Sequence, residues 1–221
     1  MPATSRPLCS AILAALLFSS NTLAFSTALS DEAVRDAYFL GQHHDASVVS
    51  YLDKYVKHLP APKTGPYISS IAFFTPFAQW VELSDRRMGN YSAQQAEQDH
   101  RGHKEFVRID VEIDLTPTYG PFLSTAELGV KPPSGLVLRS ADFWRDFTFQ
   151  IHQGDRLLDA TTLRGNPKYI CGDQYGSCNL TGASVQLELP ADSFASDTAT
   201  VVVTPPAGAE LSAQFDLNAL R

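Results

Sequence analysis

The sequence predicts an α+β protein in which N-terminal helical segments lead into an antiparallel β-sandwich. Three observations carry this. Apolar residues recur every three or four positions in the stretches 33–59 and 77–88, the period of a helix with one buried face. In "FVRIDVEIDL" (106–115) the period becomes two, with Val107, Ile109, Val111, Ile113 and Leu115 alternating with Arg108, Asp110, Glu112 and Asp114, as in a half-buried strand. From there on, short β-prone runs follow one another between turns rich in Pro and Gly, the spacing of a sandwich.

Taken in order, "LCSAILAALLFSSNTLA" follows Arg6 and ends in small residues before Phe25, the layout of a secretory signal peptide. Residues 1–24 are assigned to it, with cleavage after Ala24. The apolar run falls short of the roughly 20 residues that a spanning helix needs, so no membrane span is expected in the mature chain. Residues 25–59 read as a helical arm. Ser30 is the N-cap of its first helix, with Asp31 and Glu32 in the first turn and Gly41 at the end. A second stripe, Val48, Val49, Leu52, Tyr55, Val56 and Leu59, stops before Pro60.

In "LPAPKTGP" three prolines and one glycine exclude regular structure, so residues 60–66 read as a linker. Residues 67–103 hold a short strand, "YISSIAFF", and two helices. Thr75 caps the first helix with Pro76 in its opening position, and Ser92 with Gln95 has capping-box spacing for the second. The remainder, 104–221, is the β-sandwich domain. After the strand at 106–115 come strands at 136–139, 145–152, 156–163, 167–171, 183–189, 198–204 and 211–217. On "ATVVVTPPAGAELSAQFDL" and the strand count, this part resembles the immunoglobulin-like or fibronectin-like sandwiches of exported bacterial proteins. It lacks the inter-sheet cysteine pair and tryptophan spacing of antibody domains. The resemblance implies binding or structural work by analogy alone.

Cys9 leaves with the signal peptide. That leaves Cys171 and Cys178 in "CGDQYGSC", an even count in an exported chain and so a short disulfide loop. The chain has 24 acidic and 17 basic residues for a net charge of −7. Loss of Arg6 leaves 24 against 16, a net of −8, which repels nucleic acid and anionic lipid.

Chemistry-bearing residues concentrate in "AEQDHRGHKE" (96–105), which holds Glu97, Asp99, His100, His103 and Glu105. Glu97 and His100 share a helix face, half of the ligand set of a carboxylate-bridged di-iron bundle, and no second Glu-x-x-His accompanies them. "GQHHD" adds His43 and His44, so four of the six histidines lie in two groups. No cofactor is expected from the sequence alone. If the groups meet, His43, His44, Glu97, His100 and His103 offer a site for zinc or another transition metal; otherwise the decapeptide is a polar helix end. Asp110, Glu112 and Asp114 read as a solvated strand face with cross-strand basic partners rather than a calcium site.

A nucleophile elbow, a phosphate-binding glycine loop and a Cys–His pair are all missing from the sequence. The aromatic candidates are Tyr119 and Phe122 in the long loop 116–135, and Trp144 in "DFWRDF". Strand alternation that turned Phe143, Phe147 and Phe149 inward would turn Trp144 out toward a ligand; the alternative buries it beneath the loop. The chain thus reads as an exported binding or accessory protein, periplasmic or extracellular, without catalytic residues, with a protein or carbohydrate partner. A metal-binding protein or metalloenzyme is the second reading.

Overall fold

A computed structural model describes residues 25–62, 67–89, 91–116, 119–124, 136–172 and 178–221. The signal-peptide assignment and much of the long loop fall outside them. Among the described residues are four α-helices and two antiparallel sheets of five and four strands, with a small β-hairpin. The fold is therefore mixed α+β.

The helices are α1 (Asp31–Gly41), α2 (Ala46–Asp53), α3 (Pro76–Arg86) and α4 (Ala93–His100). Each starts where a side-chain oxygen satisfies an orphan amide. Ser30, Asp45, Thr75 and Ser92 accept from Ala33, Ser47, Ala78 and Gln95 respectively, and Gln95 answers Ser92 to complete the capping box. Val34, Ala37, Val48, Phe77, Val81 and Ala96 bury together as the core of this helical layer. Gly41 is dictated by proximity: a Cβ there would collide with the backbone of α3 at Val81 and Asp85.

The strands are β1 (Val56–His58), β2 (Tyr67–Phe74), β3 (Phe106–Asp114), β4 (Phe122–Ser124), β5 (Leu136–Leu138), β6 (Thr148–Gln153), β7 (Arg156–Leu158), β8 (Thr162–Cys171), β9 (Cys178–Pro190), β10 (Thr198–Thr204) and β11 (Leu211–Asp216). The larger sheet runs β1-β2-β3-β9-β8, the smaller β11-β10-β6-β7, and β4 pairs with β5. Strand β3 buries its odd-numbered residues from Val107 to Ile113 and leaves the even-numbered ones half-buried, as its alternation requires. One core joins the two sheets, with Ile71, Phe73, Ile109, Val111, Val185 and Leu187 on one side and Ile151, Val201, Val203, Ala213 and Phe215 on the other. Phe73 lies at its centre, with ring centroids 5.4 Å from Phe215 and 5.2 Å from Phe194.

Several segments differ from their sequence reading. The second apolar stripe is not one helix to Leu59: α2 ends at Asp53, and Val56–His58 pairs antiparallel with β2. A three-residue strand is too short to show alternation, and its pairing with β2 outweighs the helical spacing. β1 and β2, on either side of the Pro-rich segment, are thus antiparallel neighbours. Residues 145–147 belong to a 3₁₀ turn, Phe143–Asp146, and its exit, so the strand begins only at Thr148.

The runs at 162–163 and 167–171 are one strand, β8, which contains Gly165 and Pro167. Pro167 is tolerated there because β8 is an edge strand, where a missing N–H breaks no ladder. Cys171 and Cys178 face each other across β8 and β9 and form the expected disulfide. In the chain-entropy account so short a loop contributes about 2–3 kcal/mol.

Because Phe73 fills the contact between the sheets, Phe73→Ala is expected to destabilise the protein by about 3–5 kcal/mol. Urea denaturation followed by tryptophan fluorescence measures this. A loss under 1 kcal/mol would mean that the two sheets do not depend on that ring.

Candidate functional site

The decapeptide 96–105 spans the last turns of α4 and the approach to β3, and its charges are tied into neighbouring elements. Glu97 meets Arg35 of α1 at 2.8 Å and lies 3.9 Å from Arg101, which pairs with Asp31 at 2.9 Å. Asp99 pairs with Arg87 at 2.9 Å. The His100 ring lies 2.5 Å from a Glu105 carboxylate oxygen and edge-on to Trp80, with ring centroids 5.7 Å apart. Gly102, at φ 87°, makes the left-handed turn that ends the helix and leaves His103 exposed. The stretch fastens α4 to α1, to α3 and to the start of β3.

The other histidine group has separate anchors. His44 approaches Asp85 of α3 at 3.3 Å, and His43 is exposed. Asp45, hydrogen-bonded by Ser47, caps α2 with its carboxyl held below the usual range. Among the described residues no group of three or more His, Cys, Asp or Glu side chains is placed to hold a metal ion. His44 and His100 each take a different carboxylate as partner, Asp85 and Glu105.

Beside this hub a cleft of about 510 Å³ opens between α3, the end of α4 and β3. At its wall Arg108 bridges Glu82 (2.6 Å) and Asp110 (2.9 Å) and lies over the Phe74 ring. Burial, with Glu82 and Glu112 nearby, pushes the Asp110 carboxyl up, against the pull of Arg108. The described carboxylates lining this cleft are each paired with Arg or His.

The acidic face of β3 takes basic partners. Lys168 of β8 reaches across β9 to Glu112 at 2.9 Å and Asp114 at 2.7 Å. Gly182 stands level with both Asp114 and Lys168 in the sheet register, and a Cβ there would meet the Ile113 carbonyl and the lysine chain. The glycine thus gives the lysine its path. Burial raises the Asp114 carboxyl, but hydrogen bonds from Lys168 and Ser69 outweigh it and leave the group below its ordinary 3.8. Lys168, opposed by burial but bonded to both acids, is raised above 10.5.

The aromatic candidates divide. Trp144 is 4% exposed and does not face outward. Since it stands in a 3₁₀ turn, strand alternation does not apply, and its indole lies flat on β8 where Gly165 has no side chain to prevent it. Tyr119 is also buried, packed edge-on against Phe143 and Phe147. Phe122 is 51% exposed. Around it the chain exposes Leu138 at 64% and Tyr169 at 49%.

Phe122, Leu138 and Tyr169, with Pro121, Leu180, Arg139, Ser140 and Asn179, line a second cavity of about 340 Å³ next to Cys178. Single exposed apolar residues are ordinary, and it is their grouping around a concavity that sets this surface apart. Sequence reasoning finds Phe122 and misses Leu138, Arg139 and Tyr169. They come from two segments about 30 residues apart, and the one signal is a lone arginine after the apolar run "LVL".

No protein-family model matches this chain, and no curated protein matches it.

The sign of the β3 ion pairs sets a pH dependence. The depressed Asp114 contributes stability above its ordinary value of 3.8 that is lost as pH falls through its folded value. The raised Lys168 contributes stability below 10.5 that is lost as pH rises through its folded value. Because the three groups are partly exposed, Lys168→Met is expected to cost only about 0.5–1 kcal/mol. The difference from wild type is full between these limits and vanishes in stronger acid. Urea titrations at neutral pH and in strong acid measure it; an equal deficit at both would show that the lysine acts through its alkyl chain.

Proposed function

We propose that this chain is an exported, non-catalytic binding protein whose two sheets form an immunoglobulin-like sandwich. Its ligand meets the apolar cavity at the disulfide end of β8 and β9. The observation that carries the reading is the group Phe122, Leu138 and Tyr169, large apolar side chains left exposed around one concavity. The acids flagged in the sequence have structural partners, whereas this surface has an apolar and exposed character that those contacts do not explain. A protein or carbohydrate partner suits exposed aromatic rings, which offer area at small entropic cost.

Export is supported by the disulfide, since oxidising compartments preserve such bonds. Among the described residues no helix is long and apolar enough to cross a membrane. Cleavage after Ala24 retains Phe25, which is buried against Phe73 and Phe194. N-terminal sequencing of protein recovered from culture medium or periplasm is expected to begin at Phe25. A start beyond residue 25 would remove this contact and overturn the assigned boundary.

Leu138→Asp and Tyr169→Asp, both at exposed positions, are expected to leave the melting temperature within about 2 °C of wild type. Each is expected to weaken a ligand found on oligosaccharide or exported-protein arrays by at least about tenfold, since each removes an apolar wall of the cavity and puts a charge in its place. Undiminished binding by both variants would place the ligand elsewhere.

A further inference from the structure

We infer that the cavity between Phe122, Leu138 and Tyr169 recognises a carboxylate, and that Arg139 is the residue that holds it. The inference rests on the binding role proposed above for the same cavity. Arg139 is 8% exposed and lines the cavity. Its Nε donates to the Gly120 carbonyl oxygen at 2.9 Å, and its backbone N–H donates to the Pro121 carbonyl oxygen. Its guanidinium lies 3.8 Å from the centroid of the buried Tyr119 ring. These contacts fix the orientation of the group and supply no counter-charge.

Among the described residues no carboxylate forms an ion pair with Arg139. Asp142, three residues on, lies 3.8 Å from Arg145, and Asp146 acts on the Tyr119 hydroxyl without pairing with Arg139. Arg108, the one other arginine among the described residues that is not exposed, is held by Glu82 and Asp110. A buried guanidinium without a counter-ion is costly, and a planar fork of donors matches a carboxylate in two-point contact.

The rest of the cavity defines the ligand's body. Phe122, Tyr169, Leu138, Pro121 and Leu180 supply apolar walls, while Ser140 and Asn179 carry polar groups near Arg139 in sequence or across the cavity. A volume of about 340 Å³ is at the small end of the ligand-site range and suits one ring-sized body. The chemistry is a carboxylate attached to such a body. An acidic sugar of the uronate type and a small aryl-alkanoic acid both present it, and they are distinguished by test.

Calorimetric titration of the disulfide-intact protein with glucuronate and with 3-phenylpropanoate, each beside its uncharged counterpart, glucose and 3-phenylpropanamide, decides the matter. At least one acid is expected to bind with 1:1 stoichiometry, and its neutral counterpart roughly ten- to a hundredfold more weakly. Arg139→Gln is expected to reduce the acid to the neutral counterpart's affinity, and Arg139→Lys to restore it in part. The wild-type comparison of acid with neutral counterpart stands even if the arginine variants fail to fold. Equal binding of acid and neutral counterpart overturns the carboxylate assignment and leaves the binding role of the cavity intact. Absence of binding by all four compounds overturns the carboxylate assignment, while the Leu138 and Tyr169 variants still test the cavity with other ligands.

Discussion

The burial of Phe73 is the constraint from which most of the architecture follows. Its ring meets Phe25 from the segment before α1, Phe194 from the connection between β9 and β10, and Phe215 from β11. Its backbone N–H donates to the Tyr55 carbonyl and so holds the end of α2 against the sheet. A large apolar side chain buried at that point draws both sheets and the N-terminal segment to one place, where removal from water contributes roughly 2–3 kcal/mol for the ring alone. Strand β1 therefore joins the sheet beside β2 rather than continuing a separate helical arm. Phe74, its neighbour, faces the other way, stacked on Tyr55 and covered by the Arg108 guanidinium.

With the inner face of the large sheet committed to the core, its outer face has to accommodate charge. At one end α3 covers it, with Gln79 donating to the Phe74 and Phe106 carbonyls and Glu82 receiving Arg108. At the other, Lys168 spans from the edge strand to the acids of β3 over a glycine. The helical layer is fastened laterally by Arg35–Glu97, Arg101–Asp31 and Arg87–Asp99. Exposed pairs of this kind are individually worth little. They select how α4 sits on α1 and α3 more than they stabilise it, while the burial of Ala96 supplies the packing.

The parts of the fold that were legible in sequence are those where a local rule acts alone. The caps at Ser30, Thr75 and Ser92, the alternation of β3, the Cys171–Cys178 loop and the final hairpin each depend on residues a few positions apart. Elements fixed by pairing were not legible: β1 carries helical spacing and becomes a strand because β2 is beside it, and β8 runs through Gly165 and Pro167 because it is an edge strand packed on Trp144. The candidate site divides in the same way. A cluster of histidines and acids in ten residues is conspicuous in sequence, yet the acids at its core are taken by arginines from α1 and α3. The cavity wall instead assembles Phe122, Leu138 and Arg139 with Tyr169 and Leu180, residues that no sequence window joins.

This contrast bears on how a site is recognised in a chain of ordinary composition. Density of ionisable residues is a poor guide, because charges near one another in sequence are also near in space and neutralise each other, as Glu97 and Arg101 do. An imbalance that the fold itself leaves is more telling. Glu97, Asp99, Glu105, Glu112 and Asp114 all find cationic or imidazole partners, whereas Arg139 is buried against the Tyr119 ring with no carboxylate paired to it among the described residues. Folding alone does not favour that arrangement, since an uncompensated buried charge is costly. Its position beside exposed apolar rings, rather than any demand of the core, is what the proposed carboxylate site rests on.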